Sequence, residues 1–577
     1  MEEQWMLHTK KADFSDISSR FAIDPVTARI IRNRDVVGDD KIWEFLHGSL
    51  NDCSSPFLMK DMRKTVEVLS EKIKEKKKIR VIGDYDIDGV CSTYILVKAL
   101  RRIGGIVDSD IPERVKDGYG LNIRLVREAV EAGIDTLLTC DNGIAAFKAI
   151  HFAKKHGLTV LVTDHHEVLF EMIDGKKKEL LPPADAIVNP HQQNCTYPFE
   201  GLCGAAVAFK LANALYETWH ISKDELSPFV EAAGLATVGD VMVLQGENRI
   251  LVKEGMKRME HSQIVGLKAL IEANNLDAGE LSCYHLGFVI GPCLNAAGRI
   301  ETAKKALSLL MAEEKSEADC LALELVQLNA ERKNLTIQNV DAAVAYIEQR
   351  HMEADPVYVI CLPECMESLV GIVAGRIREQ YQHPVFVFSK TETCLKGSGR
   401  SIPGYNMYEH LVSCKDLLLK FGGHPMAAGL SIPEENLEAF RKKLNEESGL
   451  TEQDFQKLVW IDVPMPFSYI TDLLLRDFKK LEPFGNGNEK PCFAQKGLTI
   501  QSKKILGKNQ NVLKLSLTDN GGRRIDAILF QDAAEADREL NIDDRISVTY
   551  YPSINEYMGS RTLQMVISGW KKCATAI

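Results

Sequence analysis

The stretch VIGDYDIDGV, Val81 to Val90, decides both the fold and the place of its chemistry. An apolar approach of strand character runs into three carboxylates at alternate positions, Asp84, Asp86 and Asp88, and then a glycine. Unpaired carboxylates at the end of a strand are costly unless a cation neutralises them. In an extended segment residues two apart point to the same side, so Asp86 and Asp88 can converge on one hard cation of the Mg²⁺ or Mn²⁺ type. This suggests metal-dependent chemistry on phosphate. The competing reading is an acidic turn in which Asp and Gly only break a strand.

Working outward, strands alternate with helices. The strand candidates are IRVIG (Ile79 to Gly83), a short apolar piece at Gly105 to Val107, TLLTCD (Thr136 to Asp141), LTVLVTD (Leu158 to Asp164) and AIVNP (Ala186 to Pro190), with a helix from Val90 to Ile103. Continuous apolar strands separated by helices predict a parallel sheet covered on both faces. Sites in such sheets lie beyond the carboxyl ends of the strands. The three strong strands end in Asp84/Asp86/Asp88, in Asp141-Asn142-Gly143 and in Asp164-His165-His166, and Asp240 follows another small apolar segment, AGLATVGDVMVL. Four carboxyl or imidazole clusters at one sheet edge are hard to explain as capping residues or surface decoration.

Composition frames this reading. A chain of 577 residues should hold about three or four domains. Hydrophobic content of 45% and charged content of 26% describe an ordinary globular protein. No apolar run reaches the length of a membrane span, and the start, MEEQWMLHTKKADF, lacks the basic and apolar regions of a secretory signal, so a cytoplasmic protein is expected. The 14 cysteines are scattered without a CxxC pair, which reads as reduced core thiols; Cys361 and Cys365 have no partner pair for zinc. The net charge of −11 argues weakly against nucleic acid, but part of it is a carboxylate cluster that bound cations would offset.

DYDIDG, CDNGI, DHH and the GD of TVGD, in that order, resemble the four signature motifs of the DHH phosphoesterase superfamily. The likeness continues through GPCLNAAGRIETA (Gly291 to Ala303), and GSGRSIPGYN (Gly397 to Asn406) and FGGHPMAAGLS (Phe421 to Ser431) look like a DHHA1 domain. With a further C-terminal domain, the chain is similar over nearly its whole length to bacterial single-strand-specific 5′ to 3′ DNA exonucleases of that superfamily. The resemblance implies an α/β architecture: an N-terminal helical segment (1–50), a parallel-sheet DHH domain (51–300), a connecting helix (301–350), a smaller α/β DHHA1 domain (351–450) and an OB-like β-barrel (451–577). The connector is rich in Ala, Glu, Leu and Lys without Pro or Gly, as one long helix or two broken near Lys315. The barrel is expected from five short strands, LTIQSKKIL, VLKLSLTD, RRIDAILF, RISVTYYP and TLQMVISGW.

By the same resemblance, Asp86, Asp88, Asp141, His165 and Asp240 are ligands of two divalent cations, Mn²⁺ or Mg²⁺, with Asp141 bridging and catalytic. Asp84 is a further ligand or orients one, and His166 stabilises charge or donates a proton at the scissile phosphate. Many superfamily members have a histidine where this chain has Ile82, which implies altered metal affinity or preference. In GSGRSIPG, Gly397 and Gly399 let the backbone approach a phosphate while Ser398 and Arg400 offer a hydroxyl and a planar fork. Gly422, Gly423 and His424 look like a second substrate loop, and Arg114, Asn295 and Arg299 are further candidates to hold the strand. Lys503, Lys504, Lys508, Arg523 and Arg524, with Tyr550, Tyr551 and Tyr557 to stack bases, suit the barrel to single strands. The expected partners are single-stranded DNA with a 5′ end, a single-strand-binding protein and a helicase, and a monomer is expected. A phosphodiesterase for short oligonucleotides or cyclic dinucleotides is the nearest alternative, disfavoured by the terminal barrel. A non-catalytic strand-binding scaffold is disfavoured by the complete ligand set.

Overall fold

The computed structural model describes residues 3–573 except 174, 508–509, 531–532 and 558–559. The chain divides into two compact units. One comprises Met1–Ser49, Leu244–Gly246 and Lys457–Ile577; the other comprises Leu50–Val243 and Glu247–Gln456.

The larger unit begins with a five-stranded, all-parallel sheet in the order Ile106–Asp110, Lys78–Ile82, Thr136–Cys140, Thr159–Thr163, Ala186–Val188. The central strands are buried because helices cover both faces. The helix Ile87–Arg102 is almost wholly buried and packs on Gly204–Thr218, where a run of buried alanines permits close approach. Ile82 is fully buried among Leu137, Val160 and Val162, so that position contributes packing and no ligand atom. The small apolar segment before Asp240, left without an element type in the sequence, is the last part of the helix Ser227–Gly239, and Asp240 is its C-cap. Small apolar residues without β-branched alternation favour the buried helix here.

Helices Lys304–Met311 and Lys315–Gln349 lead to the second sheet of the same unit. Its order is Lys420–His424, Ala427–Ile432, Leu395–Arg400, Val385–Lys390, Tyr358–Cys361, antiparallel except for the last pair. The helix Val370–Tyr381 packs against it with Val370, Val373, Ala374 and Ile377 buried.

In the smaller unit Phe493–Leu506 pairs with both Val512–Thr518 and Arg545–Tyr557, and Arg524–Leu529 and Ser560–Lys572 complete a closed five-stranded barrel. Closure removes exposed edges, as in an OB-fold. Tyr550 is a core residue, with its hydroxyl donating to the Met465 carbonyl, so it is no base-stacking platform. Tyr551 packs against Phe478, Phe484 and Phe493. Lys503 is ion-paired to Asp537, whereas Lys504, Arg523 and Arg524 are exposed; Lys508 and the Tyr557 side chain lie outside the described residues. The N-terminal helices Pro25–Asn33 and Asp39–His47 bury Ile30, Ile31, Phe45 and Leu46 in the same core as the barrel. An unexpected strand, Glu3–Leu7, pairs in parallel with Lys457–Ile461. Arg34 reaches Asp462 through two hydrogen bonds of 2.7 and 3.0 Å. Among the described residues no helix is long and apolar enough to cross a membrane.

Candidate metal centre and phosphate cavity

Asp86 caps the helix Ile87–Arg102, its Oδ1 accepting from the Asp88 and Gly89 N–H groups at 3.1 Å each. That commitment leaves Oδ2 as its candidate ligand atom. Asp88, two residues on in the first turn of that helix, accepts from the N–H groups of Gly204 and Ala205 at 2.6 and 2.7 Å. These begin the helix Gly204–Thr218, whose N-terminal dipole favours a carboxylate. Asp141 follows its strand directly in the left-handed region, φ 61°, an uncommon conformation for a residue with a side chain. His165 sits between the acids, with Nε2 3.1 Å from Asp141, 3.6 Å from Asp88 and 3.9 Å from Asp240. The ligand atoms of Asp88, His165 and Asp240 lie within 4.8 Å of one another, as do those of Asp141, His165 and His166.

Electrostatics give the set its purpose. Burial, reinforced by the charges of Asp88 and Asp86, pushes the Asp141 carboxyl well above the usual carboxylate range. Burial and Asp86 push Asp84 up to about 8, and burial with Asp88 and Asp86 pushes Asp240 up to about 8. Acids that resist ionisation together fit a site for divalent cations, whose charge offsets both burial and repulsion. Asp84 lies beneath this cluster. Its Oδ1 accepts from the Gly120 N–H at 3.1 Å, and its Oδ2 is buried without a hydrogen-bond partner. Gly89 is obligatory there, since an added Cβ would fall 2.4 Å from the Asp84 backbone nitrogen.

The role of one residue, Asp164, and the participation of another, Tyr119, escaped the sequence reading. Asp164 Oδ1 accepts from the His165 and His166 N–H groups and lies 2.7 Å from His166 Nδ1, while Oδ2 accepts from the Ile144 N–H. Burial works against charge on His166, but the hydrogen bond and charge of Asp164 outweigh it and push the imidazole up to about 9. The Tyr119 hydroxyl donates to the Asp141 carbonyl at 2.6 Å and lies 3.1 Å from the His166 ring. The signal for Tyr119 was its place in DGYG; the charged Arg114 nearby drew the inference instead.

Within the same unit, Tyr85, Arg114, Tyr119, Arg299, Ser398 and Arg400 help line a cavity of about 560 Å³. The Arg400 guanidinium donates to Ser398 Oγ at 2.9 Å. Arg114 lies 3.8 Å over the Tyr85 ring, and Arg299 donates to the Ser368 carbonyl at 2.8 Å. Burial, with Arg114 beside it, lowers Arg299 to about 10. Among the described residues none of these three guanidinium groups pairs with a carboxylate. Their uncompensated charge and planar forks suit a phosphate.

Other candidates fall elsewhere. Asn295 is not on the cavity wall; its Oδ1 accepts the Ile87 N–H at 2.8 Å and so positions the turn carrying Asp86 and Asp88. Gly397 lines the cavity and Gly399 does not, and both answer to packing: a Cβ at Gly397 would strike Phe388, and one at Gly399 would lie 2.4 Å from Met407 Sδ. Their hydrogens face the aromatic core, opposite Ser398, because neighbours on a strand alternate. Gly422 lines the cavity, whereas Gly423, φ 151°, packs on Ala428. His424 is exposed at the end of its strand and does not line the cavity, contrary to the expectation for it.

A buried carboxylate and imidazole cluster at the carboxyl edge of a parallel sheet, facing unpaired guanidinium groups, defines a metal-dependent phosphoesterase. Residues 78–239 match the model of the DHH family N-terminal domain, 355–448 that of the DHHA1 domain and 461–569 that of the RecJ OB domain. The chain is 35% identical to the single-stranded-DNA-specific exonuclease RecJ of Haemophilus influenzae, with 94% of this chain and 95% of that protein covered. It is 32% identical to RecJ of Escherichia coli over 98% of this chain and 99% of the other. The crystal structure of Thermus thermophilus RecJ in complex with Mn²⁺ superposes with a TM-score of 0.83 at 28% identity, covering 99% of this chain and 80% of that one. The chain belongs to the RecJ family.

Proposed function

We propose that this chain is a divalent-cation-dependent exonuclease that hydrolyses single-stranded DNA from the 5′ end to mononucleotides. The observation that carries the reading is the placement of Arg114, Arg299 and Arg400 on one cavity with Tyr119, whose hydroxyl touches both Asp141 and His166. A terminal 5′ phosphate held by Ser398 and Arg400 would present the next phosphodiester to the cluster, which sets polarity.

Asp86, Asp88, Asp141, His165 and Asp240 would hold two cations, with Asp84 supporting them from beneath. Cations held there would supply a nucleophilic hydroxide at neutral pH and offset charge on the phosphate. Asp164 keeps His166 oriented and protonated, ready to donate to the leaving 3′ oxygen or to stabilise charge beside it. An imidazole ligand tilts preference toward Mn²⁺, and Ile82 removes a further nitrogen. A cytoplasmic monomer working with a helicase and a single-strand-binding protein completes the proposal.

Digestion of 5′-labelled and 3′-labelled strands, with and without a duplex partner, in Mg²⁺ and then Mn²⁺, tests it. Early release of 5′ label from single strands alone is the expected result; early release of 3′ label, or equal attack on duplex, would overturn it. Asp141→Ala should abolish cleavage while leaving strand binding largely intact, as read by fluorescence anisotropy.

A further inference from the structure

Immediately beyond the His165-His166 pair the chain forms a two-stranded antiparallel ribbon, Phe170–Ile173 with Lys176–Glu179, which no third strand joins among the described residues. Such a ribbon is marginal by itself. Yet it leaves Phe170, Met172 and Ile173 exposed, at 51%, 59% and 42%. Pairing sets each of the last two opposite a cation, Met172 against Lys177 and Ile173 against Lys176. Lys177 also lies 4.4 Å over the Phe170 ring. Among the described residues the nearby acids are engaged: Glu179 accepts from the Gln193 N–H, and Glu171 lies 4.0 Å from Lys178. No carboxylate among the described residues pairs with Lys176 or Lys177.

We infer that this ribbon is a contact for the single strand downstream of the nucleotides that flank the scissile phosphate, with Phe170 as a stacking face for a base and Lys176 and Lys177 as phosphate ligands. Exposed aromatic area next to uncompensated ammonium groups is the chemistry of a single-strand platform. Position supports it, because Phe170 lies four positions after His166, a stretch that can span at most ~14 Å. Nucleotides two or more beyond the reacting phosphate, at roughly that span, are therefore within reach of the ribbon. The inference rests on the exonuclease reading and extends it to nucleotides outside the metal centre.

The test compares full-length wild type with Phe170→Ala and with the double variant Lys176→Ala/Lys177→Ala in Mn²⁺, on a 5′-phosphorylated 20-mer and on a 5′-phosphorylated dinucleotide. On the 20-mer, loss of one stacked base should raise KM about fivefold or more. Removing two phosphate contacts should flatten the slope of log(kcat/KM) against log[NaCl] by about 1.4. Both variants should retain wild-type kinetics on the dinucleotide, which is too short to reach the ribbon. An unchanged KM and salt slope on the 20-mer would overturn the inference, as would an equal loss on both substrates, which marks a structural role or a protein-docking face. A wild-type chain that spared the 20-mer would instead overturn the exonuclease reading beneath it.

Discussion

Gly204 and Asp141 are packed so closely that a Cβ at position 204 would lie 2.6 Å from the Asp141 Cβ and 2.7 Å from its Oδ1. The same glycine donates its N–H to Asp88 at 2.6 Å. One backbone position therefore spaces two carboxylates of the cluster. Gly204→Ala should displace Asp141 and lower kcat by about a hundredfold, the scale of a misplaced reacting group. Circular dichroism should remain that of wild type, and titration with Mn²⁺ should show weakened binding. Wild-type activity in this variant would remove Asp141 from the centre.

Metal removal should make stability pH-dependent in a defined direction. Burial and like charges raise the carboxyls of Asp84 and Asp240 to about 8, and that of Asp141 also upward, from ordinary values near ~4. A group whose folded pKa is raised favours the fold fully below its unfolded pKa, and that contribution disappears as pH rises through the folded value. In a chelator, Tm should fall by several degrees between pH 5 and pH 8; saturating Mn²⁺ should flatten the profile. Differential scanning fluorimetry decides this, and a profile already flat in chelator would contradict it.

Arg400 is poised by Ser398 without a carboxylate to neutralise it. Losing a charge-assisted contact to phosphate corresponds to about a ten- to hundredfold change. For Arg400→Ala, KM on a 5′-phosphorylated strand should rise by that factor, while a 5′-hydroxyl strand should be affected far less. Equal losses on both would remove the cavity's role in recognising the terminal phosphate.

Arg34 and Asp462 are 5% and 3% exposed, joined at 2.7 Å. Removing one partner of a buried pair strands the other, at a cost of about 3–5 kcal/mol. Arg34→Ala should shift denaturant unfolding followed by tryptophan fluorescence, because four of the five tryptophans, Trp5, Trp43, Trp460 and Trp570, belong to that unit. A midpoint equal to that of wild type would show that the pair contributes little.

The legible parts of the molecule were those written in local pattern. Apolar strands ending in acids announced the parallel sheet, and turn-separated alternating segments announced the barrel. The Glu3–Leu7 strand stayed hidden because its partner lies some 450 residues away, as Glu3 with Lys457 shows. The helix before Asp240 was read through the acid that follows it. Asn295 and Gly399 were assigned to substrate because their types suit phosphate, and only packing reveals that they serve the backbone turn at Ile87 and the close contact with Met407 and Phe386. Asp164 was seen as part of a cluster, but its work in holding His166 depends on a side-chain direction no spacing encodes.

The pairing of Glu3–Leu7 with Lys457–Ile461 means that, along the sequence, the segment bearing the nuclease chemistry is an insertion between two parts of the barrel's unit and is not a module that precedes it in tandem. Cutting the chain ahead of Lys457 would not simply trim a module. It would orphan Ile30, Ile31, Phe45 and Leu46, turning a buried face into a sticky one. A minimal catalytic fragment must lose both ends together.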